Sequence, residues 1–228
     1  MSTFNFAEGE VLLIDKPQDW TSFDVVAKVR NAIRIKKVGH AGTLDPMATG
    51  LLILCTGKKT KEIEQYMAAE KEYEGTMLFG ATTPSYDAHS DIDQTFPLDG
   101  LNEDELREAL KQFVGPIQQV PPAFSAIKIK GQRAYNLARK GKEVVLEPRS
   151  VEIKSFELTR VAFPEVDFRV VCSKGTYIRS LAHDLGKAVN NGAHLTRLVR
   201  TRIGQFQLEN AWNLTTLVET IRDQKSDS

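Results

Sequence analysis

The chain has 228 residues, which is enough for one large domain or for a domain with a small appendage. Hydrophobic residues make up 41% of it and charged residues 26%, a composition that excludes a largely disordered chain. The 30 basic and 30 acidic residues cancel, so net charge alone does not indicate a nucleic-acid partner. The N-terminus lacks a basic stretch followed by an apolar core, and no apolar run approaches membrane-spanning length, so we expect a cytoplasmic protein.

Hydrophobic periodicity, helix caps and turn residues predict both strands and helices. In the first half they predict a strand at 11–15, a helix at 23–34 after an N-cap at Thr21-Ser22, a loop at 38–50, a buried strand at 51–55, a short helix at 60–67 and a strand at 71–79. In the second half they predict a helix that Asn102 caps and Gly115-Pro116 ends, paired strands at 151–158 and 166–173, a helix at 178–189, two short strands within 195–208 and a final helix capped by Asn213.

The order of these elements predicts the fold class. Strands and helices are mixed without strict alternation, which favours an α+β fold with a mostly antiparallel sheet flanked by helices. We expect a single domain over residues 1–228, with a basic insertion at about 118–149 whose start is rich in proline. The polar residues at about 222–228 are expected to form a disordered tail.

The cysteines and histidines do not form a recognisable ligand set. Cys55 and Cys172 are far apart, and each lies within an apolar run, which favours two buried, reduced thiols over a disulfide or a metal site. The four histidines are scattered without ligand spacing. We therefore expect neither a metal nor an organic cofactor.

Charge is segregated along the chain although its sum is zero. Residues 30–40 carry four cations and no acid, 124–149 carry seven cations against two acids, and 192–204 carry three arginines and no acid. Residues 87–108 carry eight acids against one arginine. Such segregation would let one face follow phosphates. On charge alone, ordinary solvated surfaces explain the pattern equally well.

The most informative segment is residues 39–50, Gly-His-Ala-Gly-Thr-Leu-Asp-Pro-Met-Ala-Thr-Gly. An acid before proline in a glycine-rich loop is often only a turn, because proline biases the preceding residue towards extended backbone. The whole segment, however, resembles the catalytic loop of the TruB family of tRNA pseudouridine-55 synthases. That resemblance implies that Asp45 is the catalytic nucleophile.

Other segments resemble motifs of the same family, in the same order, over roughly residues 10–217. They are Asp15-Lys16-Pro17 with Thr21-Ser22, Lys71-Glu72-Tyr73 with Gly80, Thr82 and Asp87, residues 120–126 with Gly131 and Ala134-Tyr135, residues 173–182 around Tyr177 and Arg179, and residues 192–204 around Leu198 and Arg200. Asp19 stands where the family motif has glycine, which leaves the shape of the first turn open. The resemblance implies the pseudouridine synthase fold with an RNA-gripping insertion.

The reaction explains why these residue types belong together. Pseudouridine formation breaks the N-glycosidic bond of uridine, rotates the base and rejoins it through carbon. A carboxylate suits this task because it can attack carbon or take a proton and later leave. Whether Asp45 attacks the ribose or the base stays open. The resemblance assigns Arg179 as the charge partner that keeps Asp45 ionised.

The target uridine must leave the RNA stack to be reached. The resemblance implies that Tyr73 stacks on the flipped base and takes part in proton removal, and that Tyr177 and Leu198 form further walls of the base pocket. His40 would occupy the space that the base vacates. Lys16 and Pro17 are expected to position the catalytic loop. Without the motif context each of these would be an ordinary core or loop residue.

We expect the RNA backbone to be held by basic side chains, which are Lys128, Lys130, Arg133, Arg139, Lys140, Arg200 and Arg202. The segment after residue 204 holds one helix and a polar tail, so we expect no C-terminal PUA domain. The expected partner is the T stem-loop of tRNA, with uridine 55 as the target, and we expect a monomer. Alternatives are an RNA-guided or ribosomal-RNA pseudouridine synthase, a tRNA-binding or tRNA-folding protein, and, remotely, a carboxylate-pair hydrolase.

Overall fold

A computed structural model describes residues 4–129, 131–141 and 144–226. Lys130, one of the predicted RNA contacts, lies outside the described residues, as do Lys142 and the last two residues of the predicted tail. None of the described helices is long and apolar enough to cross a membrane.

Strands and short helices alternate irregularly along the chain. The first elements are β1 (Val11–Lys16), α1 (Ser22–Ile33), β2 (Val38–Ala41), β3 (Thr49–Thr56), α2 (Ile63–Ala68), β4 (Lys71–Phe79), β5 (Ala81–Thr82), β6 (Gln94–Thr95), α3 (Glu103–Leu110) and β7 (Gly115–Gln119). The later ones are β8 (Lys128–Ile129), β9 (Gln132–Arg133), α4 (Ala134–Ala138), β10 (Arg149–Ala162), β11 (Glu165–Cys172), α5 (Ile178–Ala188), β12 (Ala193–Ile203), β13 (Phe206–Gln207), β14 (Trp212–Asn213) and α6 (Leu214–Ser226). The predicted α+β class with a mostly antiparallel sheet is confirmed.

The chain divides into two compact units, one of Met1–Tyr73 with Leu198–Ser228 and one of Glu74–Arg197. In the first unit β3 is the central strand. β1 runs antiparallel along one side of it, with Ile14 opposite Leu52, and β14 extends the sheet beyond β1. On the other side, β2 pairs with the later residues of β3, and β12 runs parallel to its first residues, with Val199 opposite Thr49.

Helices α1 and α6 cover one face of this sheet. Val25, Val29 and Ile33 of α1 share a buried cluster with the apolar face of α6 and with alternate residues of β1 and β3. Thr21 caps α1 as predicted, and its side chain and that of Asp24 cap each other's backbone N–H groups. The buried stripe of α1 is Ser22, Val25, Val26, Val29 and Ile33, whereas Phe23 and Ala27 are exposed.

Two sequence-based expectations fail in the first unit. Residues 38–41 form a strand and not a loop, because β2 completes the edge of β3 through four paired residues. The expected tail does not begin at residue 222, since α6 continues to Ser226. Leu214, Leu217, Val218 and Ile221 are buried at helical spacing, and this packing carries the helix into its polar end.

The second unit is built around the strand order β4-β11-β10-β7. β10 and β11 form a long antiparallel hairpin, and β7 runs antiparallel along the other edge of β10. Helix α3 packs against α5 and β10. Gln119 at the end of β7 lies opposite Arg149 at the start of β10, so residues 120–148 leave the sheet between two neighbouring strands. This excursion contains the β8–β9 hairpin and α4, and it corresponds to the predicted insertion.

Candidate active site

Asp45 lies in the short loop that leads from β2 into β3. The residue is half-buried, while Leu44, Met47 and Ala48 on either side of it are buried in the apolar interior. The carbonyl of Asp45 accepts a hydrogen bond from the N–H of Ala48 at 3.1 Å, which closes a tight turn. The loop is therefore fixed by its apolar neighbours and keeps one carboxylate within reach of solvent.

Residues before α1 and at its start fix the backbone on both sides of Asp45. The Ser22 hydroxyl accepts the N–H of Leu44 at 2.9 Å and donates to its carbonyl at 3.3 Å. The Pro46 carbonyl accepts the N–H of Asp19 at 2.8 Å and the Lys16 ammonium at 3.2 Å. The residue before Asp45 and the residue after it are thus both held by hydrogen bonds.

Lys16 is fully buried and donates to the carbonyls of Pro17, Trp20 and Pro46. Burial lowers the pKa of Lys16 to about 8, and the charges of Asp19 and Asp45 offset part of that shift. Its contacts tie the turn after β1, which contains Pro17, to the loop that holds Asp45. Asp19, which stands where the resemblance expects glycine, adopts a positive φ of 62°, a conformation that aspartate tolerates better than most residues.

Arg200 on β12 joins the two ends of the loop. Its side chain donates from Nε to the Leu51 carbonyl at 2.7 Å and from a terminal nitrogen to the Gly42 carbonyl at 3.0 Å. Only 1% of the residue is exposed, so the prediction that Arg200 contacts RNA phosphates is wrong. A Cβ at Gly50 would lie 2.4 Å from the Arg200 carbonyl, which explains why glycine enters β3 here.

Replacing Arg200 with methionine is expected to destabilise the protein by about 2–4 kcal/mol, because the buried carbonyl of Leu51 and the half-buried carbonyl of Gly42 would lose their donor. Urea denaturation monitored by circular dichroism would measure the change in the free energy of unfolding. Arg197→Met is the matched control, because Arg197 lies on the same strand and is exposed. It should cost no more than about 0.5 kcal/mol. Equal stability of the two variants would remove the structural role assigned to Arg200.

The ion pairs of Arg202 also argue against its predicted contact with RNA phosphates. It is half-buried, with one terminal nitrogen 2.8 Å from Glu70 and the other 3.8 Å from Glu72. Two carboxylates therefore already compensate its charge. Counting charges along the sequence does not reveal these two ion pairs, because Glu70 and Glu72 belong to a distant part of the chain.

His40 on β2 lies near the start of the same loop. Its ring meets the ring of Phe23 edge to face, with centroids 5.2 Å apart and planes at 81°. Burial, followed by the nearby charge of Arg200, lowers the pKa of His40 below its usual value, so its imidazole is neutral at neutral pH.

Tyr73 on β4 and Leu198 on β12 are both buried and belong to the same unit as Asp45.

Arg179 belongs to the second unit, where it is 4% exposed at the start of α5. It donates to the carbonyls of Ser85 and Phe124, each at 2.9 Å. Its Nε lies 3.6 Å from a carboxylate oxygen of Asp87, which is equally buried. The other oxygen of Asp87 accepts the Ser85 hydroxyl at 2.6 Å and the N–H of His89 at 3.0 Å. The guanidinium is thus held in one orientation.

Sequence reasoning placed Asp87 in a motif but assigned it no role. Its pairing with Arg179 spans 92 positions, and no local pattern announces it. The only available signal was general: a buried arginine needs a counter-charge.

Tyr177 directly precedes α5 and is anchored through its backbone. Its N–H donates to the side-chain carbonyl of Gln119 at 2.7 Å, and its own carbonyl accepts the Gln119 amide at 3.0 Å. Ser180 adds a bond from its hydroxyl to the Val120 carbonyl at 2.8 Å. Gln119 ends β7, so the sheet fixes the start of α5 and with it the backbone on both sides of Arg179.

Four of the predicted RNA-contacting cations of the insertion are described and exposed, namely Lys128, Arg133, Arg139 and Lys140. The guanidinium carbon of Arg139 lies 5.5 Å from the centre of the Tyr135 ring, and Tyr135 meets Phe124 edge to face. This part of the second unit therefore presents exposed positive charge together with an exposed aromatic ring.

Comparison with known families gives two adjoining matches. Residues 30–178 match the model of the TruB family pseudouridylate synthase N-terminal domain, and residues 179–228 match that of the tRNA pseudouridylate synthase B C-terminal domain. A tRNA pseudouridine synthase B from Flavobacterium johnsoniae is 53% identical over 97% of this chain and 100% of its own length. One from Bacteroides fragilis is 53% identical over 96% and 97% of the two chains.

Solved structures give a similar result for the fold. The chain superposes on a crystal structure of a Cbf5-Nop10-Gar1 complex with a TM-score of 0.75 and 32% identity. A structure of an H/ACA RNP bound to a substrate RNA containing 2'-deoxyuridine gives a TM-score of 0.73 and 29% identity. Each match covers 97% of this chain, which spans only slightly more than half of those larger chains, 57% and 56% respectively.

Proposed function

Because the chain belongs to the TruB family of pseudouridylate synthases and forms pseudouridine in tRNA, we propose that it acts on the T stem-loop, at uridine 55, with Asp45 as nucleophile. One observation carries the choice of Asp45. It is half-buried in a loop where both neighbouring residues, Leu44 and Pro46, are held by hydrogen bonds. A fixed backbone with a reachable carboxylate is the arrangement that nucleophilic catalysis requires.

The reaction is an isomerisation in which no atom is gained or lost overall. The bond between N1 of uracil and C1′ of ribose breaks, a bond from C5 to C1′ forms, and the proton on C5 leaves to solvent while N1 gains one. Attack of Asp45 on C1′ or on C6 of the base would each satisfy this balance. The buried ring of Tyr73 is proposed to stack on the flipped uracil, with Tyr177 and Leu198 as further walls of its pocket.

Arg179 is proposed to stabilise the charge of Asp45 during the reaction. Support comes from its fixed orientation, since the Ser85 and Phe124 carbonyls and the Asp87 carboxylate hold the guanidinium before substrate arrives. Lys16, Pro17 and Arg200 act by positioning the catalytic loop. Lys128, Arg133, Arg139 and Lys140, with Lys130 beside them in sequence, are proposed to bind the RNA backbone. We propose a monomer that acts in the cytoplasm, and the lack of a cofactor stays a prediction.

Replacing Tyr73 with phenylalanine is expected to lower turnover about 10²-fold or more while leaving tRNA affinity within about 2-fold. The ring that stacks on the base is kept, and only the hydroxyl that is proposed to take part in proton removal is lost. Single-turnover kinetics and filter binding on the same tRNA would separate the two effects. Turnover at the wild-type rate would exclude Tyr73 from the chemical step.

The proposal is tested by tritium release from an unmodified tRNA transcript labelled at C5 of uracil. The wild-type protein should release tritium from the full tRNA and from an isolated T-arm hairpin. A transcript with cytidine at position 55 should release none. Release from the hairpin without any other RNA would exclude a guide-dependent synthase, the alternative that the likeness to H/ACA complexes brings forward. No release from either RNA despite tight binding would favour a tRNA-binding protein and contradict the proposed function.

A further inference from the structure

Phe23 is a large apolar residue that the fold leaves exposed. It lies in the first turn of α1, and 58% of the residue is accessible to solvent although neighbouring Ser22 and Val25 are fully buried. Its ring is not isolated, since it meets the half-buried ring of His40 edge to face at 5.2 Å. The two rings form an aromatic patch, here called the Phe23–His40 platform, with the phenyl ring presented to solvent.

The platform borders the catalytic loop. Ser22, the residue before Phe23, is bonded through its hydroxyl to both backbone groups of Leu44, which directly precedes Asp45. His40 is separated from the start of the loop at Gly42 by one residue of β2. Both rings are therefore fixed to the same rigid elements that position Asp45.

The chain segment that joins the two rings of the platform carries exposed positive charge. Arg30, Arg34, Lys36 and Lys37 are all exposed along the rest of α1 and just after it, and no acid lies among them. The one acid beside Phe23 in sequence is Asp24, whose carboxylate is directed at Thr21 in the helix cap, with bonds of 2.9 and 2.6 Å. Surfaces that bind single-stranded nucleic acid combine exposed cations with exposed rings, and the segment from Phe23 to His40 supplies both.

We propose that the Phe23–His40 platform binds an unpaired base of the T loop next to the target uridine, with the base stacked on the phenyl ring. This inference rests on the proposed function. The contact would hold the T loop of the RNA open around the flipped uridine. Stacking on an aromatic ring needs no particular base, and it contributes affinity without adding a phosphate contact. An edge-to-face partner beneath it keeps the phenyl ring in one orientation.

The test compares binding of a T-arm hairpin by the wild type, Phe23→Ala, Phe23→Trp and Ile92→Ala. Ile92 is the matched control because it is an apolar side chain of similar exposure, 56%, placed between two acids in sequence. Phe23→Ala should raise the hairpin Kd about 10-fold, Phe23→Trp should bind like the wild type, and Ile92→Ala should be unchanged. The slope of log Kd against log salt should stay constant across all four proteins. Thermal melts would verify that each variant is folded.

A second measurement locates the contact. Single 2-aminopurine substitutions through the loop should show one position whose fluorescence is quenched by the wild type and not by Phe23→Ala. Equal affinity of Phe23→Ala and wild type would overturn the proposal, as would equal losses on a blunt duplex without a loop. So would a change in sedimentation of Phe23→Ala at unchanged RNA affinity, which would mean that a protein surface uses this ring. Turnover by the wild type is assayed on the same hairpin, so failure of the proposed function would be seen separately from these binding results.

Discussion

The Asp45→Asn variant is expected to fold and to bind tRNA as the wild type does, and to lose about 10⁴-fold or more in turnover. Asparagine keeps the size and most of the polarity of the side chain but cannot act as the nucleophile. Leu44, Met47 and Ala48 hold the loop through burial, and Lys16 holds it through the Pro46 carbonyl. The charge of Asp45 offsets only part of the burial of Lys16, and Asp19 still contributes to that offset, so the structural cost should be small.

Three measurements made together would test this prediction: single-turnover tritium release, tRNA affinity and the thermal midpoint. Asp19→Asn is the matched control, because it removes an acid whose N–H contacts the same loop at Pro46. Asparagine also tolerates the left-handed backbone at that position, so turnover should stay within about 3-fold of wild type. Substantial turnover by Asp45→Asn would require another nucleophile, and loss of tRNA binding would mean that Asp45 acts in recognition.

Much of the local structure could be predicted because its causes are local. Thr21 and Asp24 cap each other within one turn, and the alternation of residues 71–79 matches β4 at both ends. Asn213 precedes α6 and accepts the N–H of Thr215 at 3.0 Å, as a helix cap should. The loop proposed to be catalytic could be singled out for a related reason, since its resemblance to the family motif lies in one continuous run, residues 39–50.

Features that depend on distant residues could not be predicted in this way. Arg200 was taken as a surface cation because its neighbours in sequence are basic, but its side chain is directed to carbonyls at Gly42 and Leu51. β2 lacks a strand pattern of its own and exists because β3 offers a free edge. The length of α6 depends on packing against α1, which polar composition near residue 222 does not reveal.

Removing the charge of Arg179, which pairs with Asp87, is expected to lower both stability and turnover. Arg179→Met should lower the free energy of unfolding by about 3–5 kcal/mol, because it leaves the buried Asp87 carboxylate without its counter-charge. Turnover should fall about 10³-fold or more, since the charge proposed to act on Asp45 is lost. Arg107→Met is the control for removing an arginine from an ion pair. Its partner Glu103 is exposed on the same face of α3, so the stability cost should stay below about 1 kcal/mol.

The double variant Arg179→Met with Asp87→Asn distinguishes the catalytic role of Arg179 from a structural one. The amide carbonyl introduced by Asp87→Asn can still accept the Ser85 hydroxyl and the His89 N–H, and the new side chain carries no charge that needs a partner. The double variant should therefore regain most of the lost stability in urea denaturation, because an unpaired buried charge costs more than a neutral pair. Turnover should not return, since no cation replaces the guanidinium. Recovery of turnover together with stability would show that Arg179 serves only to maintain the fold of the second unit.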